Sequence, residues 1–296
     1  MPNPTTLTKA ISFDELAQTP ELAKFAQSHL VRLGLLDPPV DGQFGPLSRQ
    51  ALQEFQTVMK LSEADFGPKT RRALEDTKEV IPLQLGNDFG SRIIKYMKQK
   101  NYFVAVGEQT YNIVYVEGVD SDGKPNADTF NEWNDRRLVI EFANGIPHVV
   151  NDWLATTEPG EGPTARPYHP NKGAARIAFG QYKAWRVDTH SGASGANSHE
   201  ALVQFADVKV HRDFNKDGFR TGDAIDTGCF GINQHWGYDM PVVDNASAGC
   251  LVGKSTSGHE DFMRLIKQDQ RYQLNKQYLF FTTIIAGDKL DKAFPG

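Results

Sequence analysis

Two similar segments in the first quarter of the chain constrain the fold most, because each places a Phe-Gly-Pro turn in front of a helical pattern. The first spans residues 41–56 and the second spans residues 64–74. Glycine permits a tight turn, and proline fits the first helical turn, where a backbone N–H is not needed. An apolar series at helical spacing precedes both segments: Leu22, Phe25, Ala26, Leu30 and Leu33. Residues 21–75 are therefore predicted to form three helices joined by tight turns.

The motifs of this region resemble the three-helix type of peptidoglycan-binding domain. That family begins with L-x-x-L-G, continues with D-G-x-F-G-x-x-[ST]-x-x-A-x-x-x-F-Q and closes with G-x-x-T-x-x-x-L. The matching stretches here are 30–34, 41–56 and 67–74. The resemblance implies that the wall polymer binds around the first turn, at Asp41, Gly42, Phe44 and Gly45. The apolar pattern alone indicates only a small helical bundle or a dimerisation unit, and that alternative stays open.

The rest of the chain has a different pattern, with short β-rich segments separated by Gly, Asp, Asn or Pro. The predicted strands are 102–106, 111–119, 136–142, 148–153, 201–205, 207–211 and 278–287. Helices are predicted at 91–100 and 259–268, and the Gly- and Pro-rich stretch 156–172 is predicted to be a surface loop or a lid. We therefore expect a multidomain α+β protein, with a small three-helix bundle at 18–76, a linker at 77–88 and a mainly-β domain at 89–296.

Composition excludes some partners and leaves the export route open. The 296 residues carry a formal net charge of −5, so no basic field favours nucleic acid or anionic lipid. No apolar run is long enough to predict a membrane span, and residues 1–18 lack the basic and apolar regions of a Sec signal. For action in the periplasm or cell wall we expect export from the cytoplasm by another route, such as phage lysis or an injection system. A secretion-machine or immunity partner is not identified by the sequence.

The stretch 230–253 carries the residues best suited to chemistry. His235 ends a strand-like segment, and residues 247–249 lead into Cys250. An isolated cysteine thiol is mostly protonated near neutral pH, whereas a nearby imidazole accepts its proton and later gives it to a leaving amine. A glycine before the cysteine permits a turn that brings backbone N–H groups to the reacting carbonyl. The spacing alone is a weak signal, because cysteines are often buried and histidines are often structural.

This stretch is similar to the catalytic domain of L,D-transpeptidases, in which an H-G loop is followed by S-H-G-C. The matches are H-W-G at 235–237 and S-A-G-C at 247–250, while residues 170–177 stand in place of the family's T-P-x-G-x-[FY] stretch. The resemblance implies Cys250 as nucleophile and His235 as base. It also assigns Ser247 and Gly249 to the catalytic loop, and Trp236 and Gly237 to substrate binding.

That family resemblance implies a mainly-β, L,D-transpeptidase-like fold and an activity on peptidoglycan stem peptides. The enzyme would be an L,D-carboxypeptidase or an L,D-transpeptidase that works through a thioacyl intermediate, and it would require no cofactor.

Two departures from the family pattern change the expected substrate contacts. Ala248 stands where S-H-G-C has histidine, which removes an accessory proton donor, and residues 251–253 lack the arginine that follows the family's cysteine. Three residues are candidates for the missing cation: Lys254, Arg176 and Lys172. The departures keep a second interpretation open, a non-catalytic wall-binding protein whose β domain is a degenerate enzyme.

One loop resembles part of a calcium-binding loop. Asp213, Asn215 and Asp217, followed by Gly218, reproduce the first half of an EF-hand loop, in which oxygens at alternate positions converge on calcium. The second half departs, because its acidic residue, Asp223, comes one position early and is not a bidentate glutamate. Either a structural calcium or a loop rich in Asx turns fits this pattern.

A zinc peptidase is the weaker alternative to the cysteine enzyme. Four side chains are candidates to gather around His235 as ligands: His190, His199, His211 and Asp213. However, the chain lacks H-E-x-x-H, and residues 191–199 do not reproduce the metal-binding pattern of the D,D-peptidases.

The second cysteine, Cys229, lies beside apolar Phe230 and Ile232. It is predicted to be a small buried hydrophobic residue, and a disulfide to Cys250 is the rival interpretation.

Overall fold

The computed structural model describes residues 7–62, 65–168, 171–191 and 197–296. Within these residues, the N-terminal part, which we call the helical unit, comprises α1 (Phe13–Ala17), α2 (Pro20–Arg32), α3 (Pro46–Val58) and α4 (Pro68–Asp76). Proline occupies the first turn of α3 and α4, as the sequence pattern predicts, and also the first turn of α2. Helix α1 was not predicted, and Ser12 and Glu15 begin it with reciprocal side-chain-to-backbone hydrogen bonds. Ala64, the first residue of the second turn-to-helix segment, lies outside the described residues.

One apolar core holds the helical unit together. Phe55 of α3 is fully buried in its centre. The same core takes in Leu7 and Phe13 before the predicted bounds 18–76 and Val80 after them. The packing of this unit therefore extends further along the chain than the motif that identifies it.

The following part, which we call the β unit, begins with α5 (Phe89–Gln99) and contains the strands. In chain order these are β1 (Asn112–Glu117), β2 (Asp135–Ala143), β3 (Ile146–Thr156), β4 (Ala174–Ile177), β5 (Gly180–His190), β6 (His199–Gln204), β7 (Val208–Asp213), β8 (Ala224–Gly228), β9 (Gln234–Trp236), β10 (Leu251–Gly253) and β11 (Phe280–Ala286). Eight of these described strands close into a barrel in the order β1-β11-β5-β6-β9-β10-β3-β2. The pairs β1–β11 and β9–β10 are parallel. A separate sheet has the order β4-β7-β8.

Short helices complete the β unit: α6 (Glu161–Ala165), α7 (Thr256–Ile266), α8 (Gln270–Leu274) and α9 (Gly287–Ala293). Helix α7 agrees with the predicted helix 259–268, and α6 lies within the predicted loop 156–172. The predicted combination of a small helical part and a mainly-β part is confirmed. Among the described residues, no helix has the length and apolar character needed to cross a membrane.

The predicted strand 102–106 is wrong, because side chains satisfy its backbone groups. Ala105 donates its N–H to the side chain of Asn112 at 2.9 Å and accepts from the same amide at 2.8 Å. Phe103 makes an equivalent pair of bonds, both 2.8 Å, with the amide of Gln181. These two amides take the place of a neighbouring strand, so a β-rich sequence forms no ladder here. The other predicted strands overlap observed ones.

A buried charged cluster joins the two units. Asp37, in the turn after α2, accepts hydrogen bonds from Arg271 at 2.9 Å and from the Tyr278 hydroxyl at 2.5 Å. The Lys183 ammonium lies 3.3 Å from the same carboxylate. Burial alone would raise the pKa of Asp37, but these neighbours hold it below its usual value. Because a buried charge that loses its partner is strongly destabilising, the cluster holds the two units in one orientation.

Candidate active site

Residues of the barrel and of the β4-β7-β8 sheet line a cleft of about 820 Å³. His235 of β9 and Cys250, the residue before β10, both lie in its wall. Because β9 and β10 are parallel neighbours, with Val252 opposite His235, the fold brings the sulfur and the imidazole onto adjacent segments. No hydrogen bond joins these two described side chains.

Backbone groups hold the thiol of Cys250. It donates to the carbonyl of Gly231 and accepts from the N–H of Asn233, each with 3.4 Å between the heavy atoms. Burial raises the pKa of this thiol to about 11, while the Asn233 N–H acts in the opposite direction. The resting thiol is therefore neutral at physiological pH, so a base must remove its proton during any attack.

His235 has the protonation state that such a base requires. Its Nδ1 lies 2.7 Å from the carbonyl oxygen of Trp236, so Nδ1 carries the proton and Nε2 has the free lone pair. The residue is only 3% exposed, and burial, followed by the effect of His190, lowers its pKa to about 3. The imidazole is therefore neutral throughout the physiological range.

Stacked rings fix the orientation of His235. His190, the last residue of β5, lies face to face with it, with ring centroids 4.2 Å apart and planes 5° apart. His199, whose ring centroid lies 6.0 Å from that of His235, stacks on Trp236 at 3.7 Å. His190 lines the cleft together with His235.

Internal hydrogen bonds shape the loop that carries Cys250. Ser247 is buried, donates its hydroxyl to the carbonyl of Cys250 and accepts the Gly249 N–H. Gly249 has a φ of +122°, and a Cβ there would lie 2.1 Å from the carbonyl oxygen of Ala175, so only glycine fits. The Cys250 N–H, on the same residue as the sulfur, donates to no described residue. Ser247 and Gly249, predicted as catalytic residues, thus set the shape of the loop.

The described part of the predicted lid 156–172 packs against the same loop. The Gly160 N–H donates to the carbonyl of Ser247 at 2.9 Å, and Tyr168 lines the cleft further out. Residues 169 and 170, where this stretch meets the predicted segment 170–177, lie outside the described residues.

Trp236 and Gly237, predicted to bind substrate, are not among the described residues that line the cleft. Gly237 packs so closely on Trp133 that a Cβ would lie 2.4 Å from the indole. Its N–H donates to the carbonyl of Gly253 at 2.7 Å. Both residues therefore have structural roles next to His235.

The three side chains predicted to supply a positive charge to the site lie in different places. Among the described residues Lys172 lines the cleft, whereas Lys254 does not. The prediction for Arg176 is wrong, because it is only 5% exposed and forms ion pairs with the carboxylates of Glu158 and Glu117. A buried arginine with two acidic partners has no free charge to offer a substrate.

The predicted burial of Cys229 is also wrong. This cysteine is exposed, lines the cleft and forms no disulfide with Cys250. The apolar neighbour Ile232 enters the core instead, so an apolar setting in the sequence did not decide where the thiol lies.

The loop predicted as a calcium site contains Asx turns. Asp213 accepts the N–H groups of Asp217 and Gly218 at 3.2 and 3.0 Å, and Asn215 donates its side-chain N–H to Asp217 at 2.7 Å. Burial, with the charges of Asp213 and Asp217, raises the pKa of Asp223. Calcium at this loop stays a prediction.

Another acidic group, outside this loop, has ligand atoms within 4.8 Å of one another: Glu117, Asp128 and Glu158. Arg176 forms ion pairs with Glu117 and Glu158, and Arg220 with Glu117, so two of the three carboxylates already have cationic partners.

The predicted zinc ligands separate into two sets. His190 and His199 lie near His235, with ring centroids 4.2 and 6.0 Å away, whereas His211 and Asp213 lie on β7 in the other sheet. The lone pairs of His190 and His235 lie in parallel ring planes and do not converge on one point. Tetrahedral zinc needs convergent ligands, so this arrangement does not fit it.

The four residues of the predicted wall-binding turn have structural roles. Asp41 accepts hydrogen bonds from Gln27 and from the Gln43 N–H, both at 2.8 Å. Gly42 has a φ of +79° and Phe44 is buried in the core, so neither presents a side chain to a polymer. Gly45 is the N-cap of α3. The motif residues therefore determine the structure of this turn.

Sequence reasoning missed two residues that organise the cleft. The buried amide of Gln204 accepts the N–H groups of Phe230 and Ile232 and donates to the carbonyl of Gly228. Asn233 donates its backbone N–H to Cys250. Neither residue belongs to a recognisable motif, because their partners are distant in the chain.

Comparisons with known proteins give a family match and a structural match. Residues 19–74 match the family model described as "Putative peptidoglycan binding domain". No curated protein matches the chain. A crystal structure of a fused Zn-dependent amidase/peptidase/peptidoglycan-binding domain-containing protein from Clostridium acetobutylicum aligns with 94% of this chain and 97% of its own, at 13% identity and a TM-score of 0.28. A TM-score this low carries no argument about the β unit.

Proposed function

We propose that this protein is a peptidoglycan-targeting cysteine enzyme. The helical unit binds the wall polymer, and the cleft cuts or transfers stem peptides at an L,D bond. The neutral imidazole of His235, with a free Nε2 in the same cleft as the Cys250 thiol, is the observation that carries the proposal. The family match of residues 19–74 supports wall binding. The H-W-G and S-A-G-C residues support L,D chemistry through their resemblance to L,D-transpeptidases.

The proposed reaction begins when Nε2 of His235 takes the thiol proton as the Cys250 sulfur attacks the carbonyl carbon at the L-centre. The carbonyl oxygen becomes an oxyanion, and the free Cys250 N–H is the donor beside it. The C–N bond then breaks, the imidazolium gives its proton to the departing D-amino acid, and a thioester remains. Water releases a shortened stem, whereas an amine forms a new amide; in either case His235 returns the incoming proton to sulfur.

Mass spectrometry of purified muropeptides incubated with the protein tests this proposal. We expect release of the terminal D-amino acid, and with an added D-amino acid we expect an exchanged product that reports transfer. The substitutions Cys250→Ala and His235→Gln should each lower turnover by about 10³-fold or more. Cys229→Ala is the matched control, because it removes the other thiol of the cleft. A Cys250→Ala variant as active as the parent would contradict the proposal.

No hydrogen bond joins the described side chains of Cys250 and His235, and burial raises the pKa of the thiol. Both observations favour a second candidate, a wall-binding protein without catalysis. In that case the protein should sediment with insoluble wall sacculi and leave muropeptide masses unchanged. The same incubation therefore separates the two functions.

The zinc peptidase alternative predicts a third result in that assay. Turnover would be lost with a chelator and would survive alkylation of both cysteines. The stacked histidines do not favour this outcome.

A further inference from the structure

His190 is a titratable residue of the cleft wall that the mechanism above does not use. It ends β5, pairs with His199 across the β5–β6 ladder and lines the cleft beside His235. Its ring is parallel to that of His235, with centroids 4.2 Å apart. A parallel ring at this distance prevents the His235 imidazole from tilting toward that side.

Asn233 fixes the tautomer of His190. The side-chain oxygen of Asn233 accepts the Gln204 N–H at 2.9 Å, so its nitrogen must be the atom that lies 3.0 Å from Nδ1 of His190. Since that nitrogen donates, Nδ1 of His190 accepts and the ring proton is on Nε2. The two stacked rings therefore carry their protons on opposite nitrogens.

The same asparagine also contacts the sulfur. Its backbone N–H donates to Sγ of Cys250 at 3.4 Å, while its side chain holds His190. Asn233 thus links the thiol to the ring that stacks on His235. This linkage places the sulfur, His190 and His235 in one rigid arrangement.

We propose that His190 is a positioning residue that, through its stacked ring and its bond to Asn233, holds the His235 imidazole as the proton acceptor for Cys250. This inference rests on the proposed function, in which Nε2 of His235 takes the thiol proton.

Several groups face His235 and bear on its titration. They are His190 of β5, His199 of β6, Arg137 of β2, His259 of α7, Tyr238 after β9 and Cys250 before β10. Burial lowers the pKa of His235 most and His190 is the next cause, so removal of His190 should raise it.

NMR of ¹⁵N-labelled histidine rings tests the proposal without reference to activity. In the parent we expect Nδ1–H on His235 and Nε2–H on His190, with His235 still neutral at pH 5. In His190→Ala the titration of His235 should move upward by about one pH unit or more. The acid limb of the muropeptide pH–rate profile should move with it. His199→Ala is the comparison variant, because His199 does not stack on His235 and is a smaller cause of its lowered pKa, so the titration should move less than in His190→Ala.

His190→Phe provides a second variant if His190→Ala does not fold, since it keeps an aromatic ring and loses the bond to Asn233. An unchanged His235 tautomer and titration in both variants, with muropeptide turnover intact, would overturn the positioning role alone. If the His235 titration shifts in the variants but the parent protein turns over no muropeptide, the proposed function is overturned and the stacking of His190 on His235 is still supported.

Discussion

The helical unit and the β unit each contain an irregular segment held by a buried glutamine. In the helical unit, Gln27 bonds to Asp41 and to the Gly42 N–H of the first motif turn. In the β unit, Gln204 bonds to the segment 228–232 that runs beside Cys250. The first segment buries Gly42 and Phe44 of its motif, whereas the second leaves two thiols and His235 in the wall of a cleft.

This difference shows that a recognisable motif can identify a fold without identifying a contact surface. Asp41 and Phe44 form part of the helical motif because the turn needs a hydrogen-bond acceptor and a buried ring. His235 and Cys250 of the other motif line the cleft instead, and a chemical role for them is our proposal. Three measurements test these segments and the unit that contains the cleft.

The largest expected effect comes from Gly249→Ala in the loop of the cleft. A Cβ at Gly249 would collide with the carbonyl oxygen of Ala175, and its φ of +122° strains any L residue. We expect unfolding to become easier by about 3–5 kcal/mol, measured by chemical denaturation. Gly222→Ala is the matched control, because its φ is +88° but no atom lies within 4 Å of the added Cβ. That variant should lose about 1–2 kcal/mol. Equal losses would show that the clash is absorbed by the loop.

The two buried glutamines give the next effect. Gln27→Ala and Gln204→Ala should each leave buried backbone groups without partners and lower the free energy of unfolding by about 2–3 kcal/mol. Only Gln204→Ala should also change the rate at which iodoacetamide alkylates Cys250, measured in a Cys229→Ala background. The comparison between the two segments fails if Gln27→Ala changes that rate as much.

Acid should weaken the β unit by a smaller amount. Burial lowers the pKa of His235 to about 3 and that of His259 to about 2, so both gain protons on unfolding below pH 6.5. Stability that is complete above pH 6.5 is therefore lost as the pH falls toward those values. Asp135 opposes this trend, because burial raises its pKa to about 8 and it holds a proton in the folded state. From pH 7 to pH 5 we expect a net loss of about 1 kcal/mol.

Tryptophan fluorescence during denaturation measures this pH effect, because all four tryptophans belong to the β unit. Asp135→Asn removes the opposing group and should increase the loss to about 4 kcal/mol over the same pH interval. A loss that is unchanged in this variant would mean that Asp135 is ionised in the folded protein.

Local patterns predicted the elements well, because they depend on neighbours in the chain. The Phe-Gly-Pro turns and the apolar spacing predicted α2, α3 and α4, and the β-rich segments predicted most strands. The stretch 102–106 failed because Asn112 and Gln181 replace a partner strand. Helix α1 was missed because a single capped turn carries little periodic signal.

The candidate site depends on contacts that no local pattern reveals. The sequence placed His235 and Cys250 in one site, and the structure brings both to one cleft, while their chemical roles stay predictions. His190 comes from a strand 45 positions before His235, so only the folded sheet shows that the rings stack. Arg176 was misassigned for the same reason, because Glu158 becomes its partner only in the folded structure.

The buried link at Asp37 has a consequence for how the molecule would work on a large insoluble substrate. Because this carboxylate is bonded to Arg271 and Tyr278 of the β unit, the helical unit cannot swing freely as a tethered module does. A glycan strand bound by the helical unit would then reach the cleft of the β unit at a fixed distance from the binding point. The choice of which stem is processed would then depend on the distance along the strand as well as on the chemistry of the peptide.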